Sequence, residues 1–271
     1  MFIQHWVQKP PLGVRINPAH PLSKGLVGYW LLHEGSGDKT YDLIQGDPIA
    51  LNTMAFPSIT TSGWNPGKNG VALAFDGSSD YVGPGPSYTV LGNTDTYTIC
   101  IRVRLDNVTR VETPLSFRRN TLVSVNATDW RWQVLDASGT AIKSSFPRTS
   151  GECYDYCITS IGIAAGKTKL YTNGIHQDDG GDIDVIDEGA LHLGVQEYLH
   201  SELGLGRYML GLIEFAFLYA NRALTAQEVL ELHENPYGMF SWPMPFSVGA
   251  APPSARQPRS PVMSGVPSAH F

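Results

Sequence analysis

Tyr97-Thr98-Ile99-Cys100-Ile101-Arg102-Val103-Arg104-Leu105 alternates apolar and polar side chains over nine residues. Period-2 alternation of this kind predicts a β-strand with one face in a core and the other in water. Outward from it, further short apolar runs read as strands: 26–32, 71–75, 121–125, 130–135, 157–164, 168–172, 191–195 and 209–219. Asp76-Gly77, Ser138-Gly139, Asn173-Gly174 and Gly180-Gly181 separate them as turns. With 28 Gly and 19 Pro distributed through 271 residues, long helices are disfavoured. Many short strands joined by tight turns predict a sandwich or jelly roll.

One helix is signalled. Thr225-Ala-Gln-Glu228 is a capping box, Leu224 and Val229 form a hydrophobic staple across it, and Asn235-Pro236 stops it. Pro10, Pro11, Pro18 and Pro21 break up the start of the chain, and eight prolines interrupt 236–271. The expected division is an N-terminal arm (1–21), a β domain (22–235) and a proline-rich C-terminal tail (236–271).

Charge divides the same way. The chain carries −6, with +2 in 1–21 and +2 in 236–271, which leaves −10 for the body. An acidic body argues against a nucleic-acid groove. No run of 18 apolar residues is present, so no membrane insertion is expected, and the N-terminus reads as lacking a signal peptide. Cys100, Cys153 and Cys157 set up no disulfide framework. Cys153 and Cys157 are compatible with a local disulfide or with free thiols. No zinc spacing accompanies them, and neither a metal nor another cofactor is expected.

Several segments fall into a known order. Leu26-Val-Gly-Tyr-Trp30-Leu-Leu-His-Glu34-Gly-Ser-Gly37 resembles the opening of the laminin-G-like, concanavalin A-like family. Phe75-Asp76-Gly77 with Asp80-Tyr81-Val82, Lys169-Leu-Tyr-Thr-Asn173-Gly174, and Gly211-Leu-Ile-Glu214 followed by Asn221-Arg222-Ala-Leu-Thr225 are similar to its later motifs. The resemblance covers about residues 22–235. It implies an all-β, two-sheet antiparallel jelly-roll sandwich with one short C-terminal helix and extended arms. It places Trp30 and Phe75 in the core, with Arg222 either pairing a carboxylate or solvating the surface. Two departures stand out: Glu214-Phe215 where an acid pair is usual, and Asp42-Leu-Ile-Gln-Gly46-Asp-Pro in place of the family's loop after the first strand. Some relatives hold calcium in such loops, an implication these departures weaken. The flanks around Lys9-Pro-Pro-Leu-Gly13 and Glu234-Asn-Pro-Tyr-Gly-Met-Phe240 resemble those of such domains in tailed-bacteriophage proteins. That implies a virion-surface location, as a capsid decoration, fibre or tail-associated protein.

Candidate chemistry is sparse. Asp182-Ile-Asp184-Val-Ile-Asp187-Glu188 evokes the paired carboxylates of a glycoside hydrolase, but the alternation breaks at Asp187. No G-x-S-x-G elbow and no phosphate loop occurs. The chain is therefore expected not to be an enzyme. Aromatic side chains are better candidates. Trp64, among turn-forming neighbours, is a candidate for a glycan-binding rim, the alternative being a ring folded back as a loop plug. Trp130 and Trp132 share one strand face, which would stack on sugar if exposed and join the core if buried. Phe2 and Trp6 in the arm, and Tyr237, Phe240, Trp242 and Phe246 in the exit, either pack back on the domain or dock on another chain. The expected partners are other virion proteins, copies of this chain and host surface polysaccharide. The alternatives are a free glycan-binding lectin and a glycoside hydrolase.

Overall fold

A computed structural model describes residues 8–56, 58–83, 96–107, 109–117, 120–124, 130–134, 141–144, 148–162, 166–179, 191–197 and 205–241. They belong to one compact unit, Met1–Ser241; a second unit, Trp242–Phe271, lies outside them. Phe2, Trp6, Trp242, Phe246 and the acidic run 182–188 are likewise outside the described residues.

In chain order the strands are β1 (Leu26–Trp30), β2 (Lys39–Tyr41), β3 (Pro48–Asn52), β4 (Gly63–Gly67), β5 (Gly70–Asp76), β6 (Tyr81–Val82), β7 (Thr96–Leu105), β8 (Glu112–Phe117) and β9 (Asn120–Ser124). They continue as β10 (Trp130–Val134), β11 (Ala141–Ser144), β12 (Cys153–Ile161), β13 (Thr168–Thr172), β14 (Ile175–Asp179), β15 (Leu191–Leu193), β16 (Gln196–Glu197), β17 (Leu205–Gly206) and β18 (Leu210–Ala220), before the helix α1 (Ala226–Glu234). The first sheet runs β14-β13-β12-β7-β18-β5-β4, with β1 also on β18. The second runs β11-β10-β9-β8-β15-β6-β3-β2, and β16 and β17 pair separately.

The odd positions of β7 behave as the alternation predicts. Tyr97, Ile99, Ile101, Val103 and Leu105 enter the core between the sheets, together with Trp30, Phe75, Leu115, Phe117 and Ile213. Of the even positions from Thr98 to Arg104, only Arg104 is partly exposed. Thr98, Cys100 and Arg102 are buried. A third layer covers them: α1 packs on the outer face of the first sheet with the described segments that precede β1 and follow α1. Tyr29, Cys100, Phe215, Phe217, Tyr219, Val229 and Leu232 form a second core there, joined by Tyr237, Met239 and Phe240.

For Tyr237 and Phe240 this second core selects packing back on the domain over the partner-docking role also expected of them. Both are buried in their own chain, with Phe240 5.5 Å from the Tyr29 ring and Tyr237 edge-on to Phe215 at 6.2 Å. Burying such side chains is worth about 1.5–3 kcal/mol each, which favours packing in cis wherever geometry allows. The expected boundaries at 21 and 236 shift accordingly. Ile16 bridges Phe240, the Asn17 amide donates to Met239 O at 2.8 Å, and the Ser241 amide donates to Arg15 O at 2.9 Å. The arm from Gln8 and the exit to Ser241 are thus built into the sandwich.

Local signals hold where they are strong. The Thr225 hydroxyl accepts from the Glu228 amide at 3.3 Å, while the Glu228 carboxylate accepts from the Thr225 amide at 2.9 Å. Leu224 and Val229 are both buried beside the cap. Asn173 and Gly174 have φ of 50° and 78°, the two left-handed residues that a tight β13–β14 hairpin requires. Arg222 resolves toward pairing: it donates to Pro21 O and Lys24 O and meets Glu228 Oε1 at 2.5 Å. The cysteines pair differently from expectation. Cys100 and Cys157, directly opposite on β7 and β12, form a disulfide and leave Cys153 free. Their 57-residue separation hides this pairing from the sequence.

Candidate functional site

The three expected tryptophans are not brought together. Trp64 lies in β4 at one edge of the first sheet, not in a loop, and is 8% exposed. Its indole N–H donates to Gly37 O at 2.8 Å, which fastens the ring inward. A stacking platform needs a free ring face, so the rim expectation for Trp64 is corrected. Its turn-forming neighbours remain, with Ser58 Oγ accepting from the Trp64 amide at 2.8 Å. Trp130 and Trp132 lie in β10, next to the edge strand of the second sheet, opposite Ser124 and Leu122 of β9. Their side chains are outside the described residues.

The charged residues with perturbed environments line a seam on the outer face of the first sheet. β1 and β5 pair successive parts of the same edge of β18: β1 takes Ala216–Tyr219 and β5 takes Leu210–Ile213. Where one gives way to the other, backbone carbonyls lose their strand partners. Lys9 enters this gap. Its ammonium donates to Leu32 O at 3.0 Å, Glu214 O at 2.5 Å and Val71 O. Burial pulls Lys9 down to about 7, against the opposing pull of Glu214 and Glu34. The Glu214 side chain is itself fully buried and accepts from the Lys68 amide.

Beside the seam, Arg102 grips Asp155 with two hydrogen bonds of 2.5 and 2.6 Å and reaches Asn69 Oδ1 at 3.0 Å. His233, in the last turn of α1, meets the same carboxylate at 2.7 Å. Burial would raise the Asp155 carboxyl, but hydrogen bonds from Arg102 and His233 outweigh it and hold it below the usual carboxylate range. A His–Asp pair can orient a general base, and a base needs a nucleophile. The free thiol nearby is Cys153, whose polar contact is Glu214 Oε1 at 4.0 Å. Burial, reinforced by the Glu214 charge, pushes that thiol up to about 11, the opposite of activation. Glu112, at the start of β8, is a further buried acid. Burial pushes it up to about 7, and Arg110, 3.2 Å away, partly opposes this.

A groove on the surface of the sandwich has a different character. About 650 Å³ in volume, it lies between Gly13–Pro18 of the arm and Tyr41–Gly46, with Ser23 and Leu26 also lining it. Hydrogen bonds fix both walls. Val14–Ile16 is tied to the exit segment by the Ile16–Phe240 bridge and the Ser241 amide. On the other side, Asp42 is buried, and its carboxylate accepts from the amides of Tyr29 and Ile44 at 3.0 and 2.8 Å. Tyr41 is 45% exposed and Ile44 39% exposed on this wall. Arg15 lines the opposite one and is exposed. Sequence reasoning passed over all three. The available signal was Asp42-Leu-Ile-Gln-Gly46, a loop that departs from the pattern the chain otherwise resembles, since surface loops are where binding residues concentrate.

Neither a protein-family model nor a curated protein matches the chain. Solved structures match its architecture. Domain 4 of an extracellular GH43 arabinanase from Geobacillus stearothermophilus, in complex with arabinotriose, is similar with TM-score 0.52 and 18% identity over 77% of this chain and 98% of that one. The fold is a concanavalin A-like jelly roll. A mutant Trypanosoma rangeli sialidase displaying trans-sialidase activity gives TM-score 0.54 at 15% identity, over 84% of this chain and 37% of that one. The receptor binding domain of botulinum neurotoxin type G gives 0.51 at 13% identity, over 78% and 51%. The jelly roll therefore spans about a third of the sialidase and half of the neurotoxin domain. Identities this low carry the fold alone.

Proposed function

We propose that this chain is a non-catalytic binding module that holds a sugar in the groove between Arg15 and Tyr41. The observation that carries this is the partition of its polar and aromatic groups. The titratable residues of the outer seam are engaged in closing the fold, whereas Tyr41 offers an exposed ring beside apolar Ile44 in a groove of ligand size. An aromatic face over apolar neighbours suits the C–H face of a pyranose. A domain of the same architecture in complex with arabinotriose supports the compatibility of this scaffold with such a ligand. Binding of the full chain to an array of polysaccharides, repeated with Tyr41→Ala, tests the proposal. Loss of a positive signal in the variant at unchanged melting temperature is expected. An array on which the unaltered chain binds nothing overturns the proposal.

A tailed-phage virion surface is the proposed setting. The flanking resemblance supports it, as does the placement of both described ends together on the helix-bearing face. Truncation at Ser241 is expected to abolish incorporation into particles while the jelly roll stays folded. Normal incorporation of the truncated chain would rule out anchoring by the tail.

A further inference from the structure

Two observations bear on what kind of sugar the groove would take. The first is its charge. Among the described lining residues Arg15 is the one cation and Asp42 the one acid. The Asp42 carboxylate is buried and already accepts two backbone amides, so it presents no free charge to the groove. The Arg15 side chain makes no ion pair and no hydrogen bond among the described residues. It contrasts with Arg102, Arg104, Arg110 and Arg222, each of which spends its guanidinium on a carboxylate. The second observation is anchoring. The Arg15 carbonyl accepts from the Ser241 amide, and Ile16 is bridged to Phe240, so the backbone that carries this cation is fixed at the groove's edge.

We infer that the groove selects a carboxylated sugar, a uronate or a sialate, with Arg15 as the residue that determines specificity. The inference rests on the sugar-binding proposal above. An exposed guanidinium that meets no carboxylate among the described residues presents a planar fork of donors that matches a carboxylate in two parallel hydrogen bonds. Tyr41 and Ile44 on the facing wall supply the apolar surface for the ring that bears it. A neutral sugar satisfies the second of these features and leaves the first unused. An acidic peptide satisfies the first, but its side chains lack a rigid ring to lie on Tyr41.

Calorimetric titration of the full chain with matched pairs tests this: oligogalacturonate against its carboxyl-reduced counterpart, and sialyllactose against lactose. One carboxylated member is expected to bind more tightly than its neutral partner. Arg15→Ala is expected to weaken that member by about ten- to a hundredfold and leave the neutral one unchanged. Arg15→Lys, which keeps the charge and loses the fork, is expected to fall between. Raising the salt concentration is expected to weaken the carboxylated member selectively. Equal binding of both members of each pair, with Tyr41→Ala abolishing both, overturns the selectivity and leaves the sugar-binding proposal standing. Failure of every oligosaccharide to bind overturns both. Binding of a hexaglutamate peptide without binding of any sugar overturns both in favour of an acidic protein partner. Thermal denaturation of each variant separates a lost ligand contact from a lost fold.

Discussion

The outer seam and the open groove both collect residues that a sequence reader would mark as chemistry, and they use them in opposite ways. In the seam, Arg102, Asp155 and His233 are packed against one another and Lys9 against backbone carbonyls, while the buried Glu214 carboxylate accepts from the Lys68 amide. In the groove, Arg15 and Tyr41 stand apart. A charge that is buried and paired is part of how the fold closes, because leaving it unpaired would cost several kcal/mol. A charge on anchored backbone that meets no carboxylate among the described residues is open to a ligand, as proposed for Arg15. Perturbed titration alone therefore points at the seam and not at the groove proposed as the binding site.

Breaking the seam should have the largest consequence. Arg102→Ala leaves the Asp155 carboxylate buried with half its partners and is expected to lower stability by about 3–5 kcal/mol in urea denaturation. Replacing both partners together, as Arg102→Met with Asp155→Leu, is expected to cost much less than either single change. A double variant as unstable as the sum would show that the seam depends on packing and not on the pair.

Lys9 gives the seam a pH signature. Its folded value of about 7 lies below its ordinary 10.5. Between these values the unfolded chain holds a proton that the folded chain has released, so stability rises with pH from about 7 upward. The expected contribution is at most about 1.4 kcal/mol per pH unit. Denaturation at intervals between pH 7 and 9.5 should show this slope in the unaltered chain and lose it in Lys9→Met. Equal slopes in the two proteins would remove Lys9 as its source.

Thr225→Ala removes the cap of the helix that roofs the second core. It is expected to cost about 1 kcal/mol, read as a lower urea midpoint at unchanged slope. The groove should respond least. Arg15→Ala and Tyr41→Ala are each expected to change stability by no more than about 0.5 kcal/mol, as surface substitutions do. A larger loss for either would mean that the groove, like the seam, is part of how the fold closes.

Much of the framework was legible in the chain. β7 was legible because its alternation matched the pleat of a strand, and the cap at Thr225 because its chemistry is local. Trp30 and Phe75 sit in the core as the resemblance implied. Trp64 misled because turn-forming neighbours say nothing of whether a ring folds inward, and Gly37, which receives its N–H, is 27 residues away. Short β2, β3, β4 and β6 were missed, since two to five residues carry too little periodicity to register.

By itself the sequence determined what depends on neighbours within a few positions: strand alternation, the Asn173-Gly174 turn, the capping box and the Asp76-Gly77 corner. The tertiary structure alone decided which faces are covered. Whether Cys100 meets Cys157, whether Tyr237 and Phe240 pack in cis, and whether an arginine finds a carboxylate all depend on elements brought together across long stretches of chain. That is why Arg102 and Arg15 look alike in the sequence, yet one seals the sandwich and the other faces the groove.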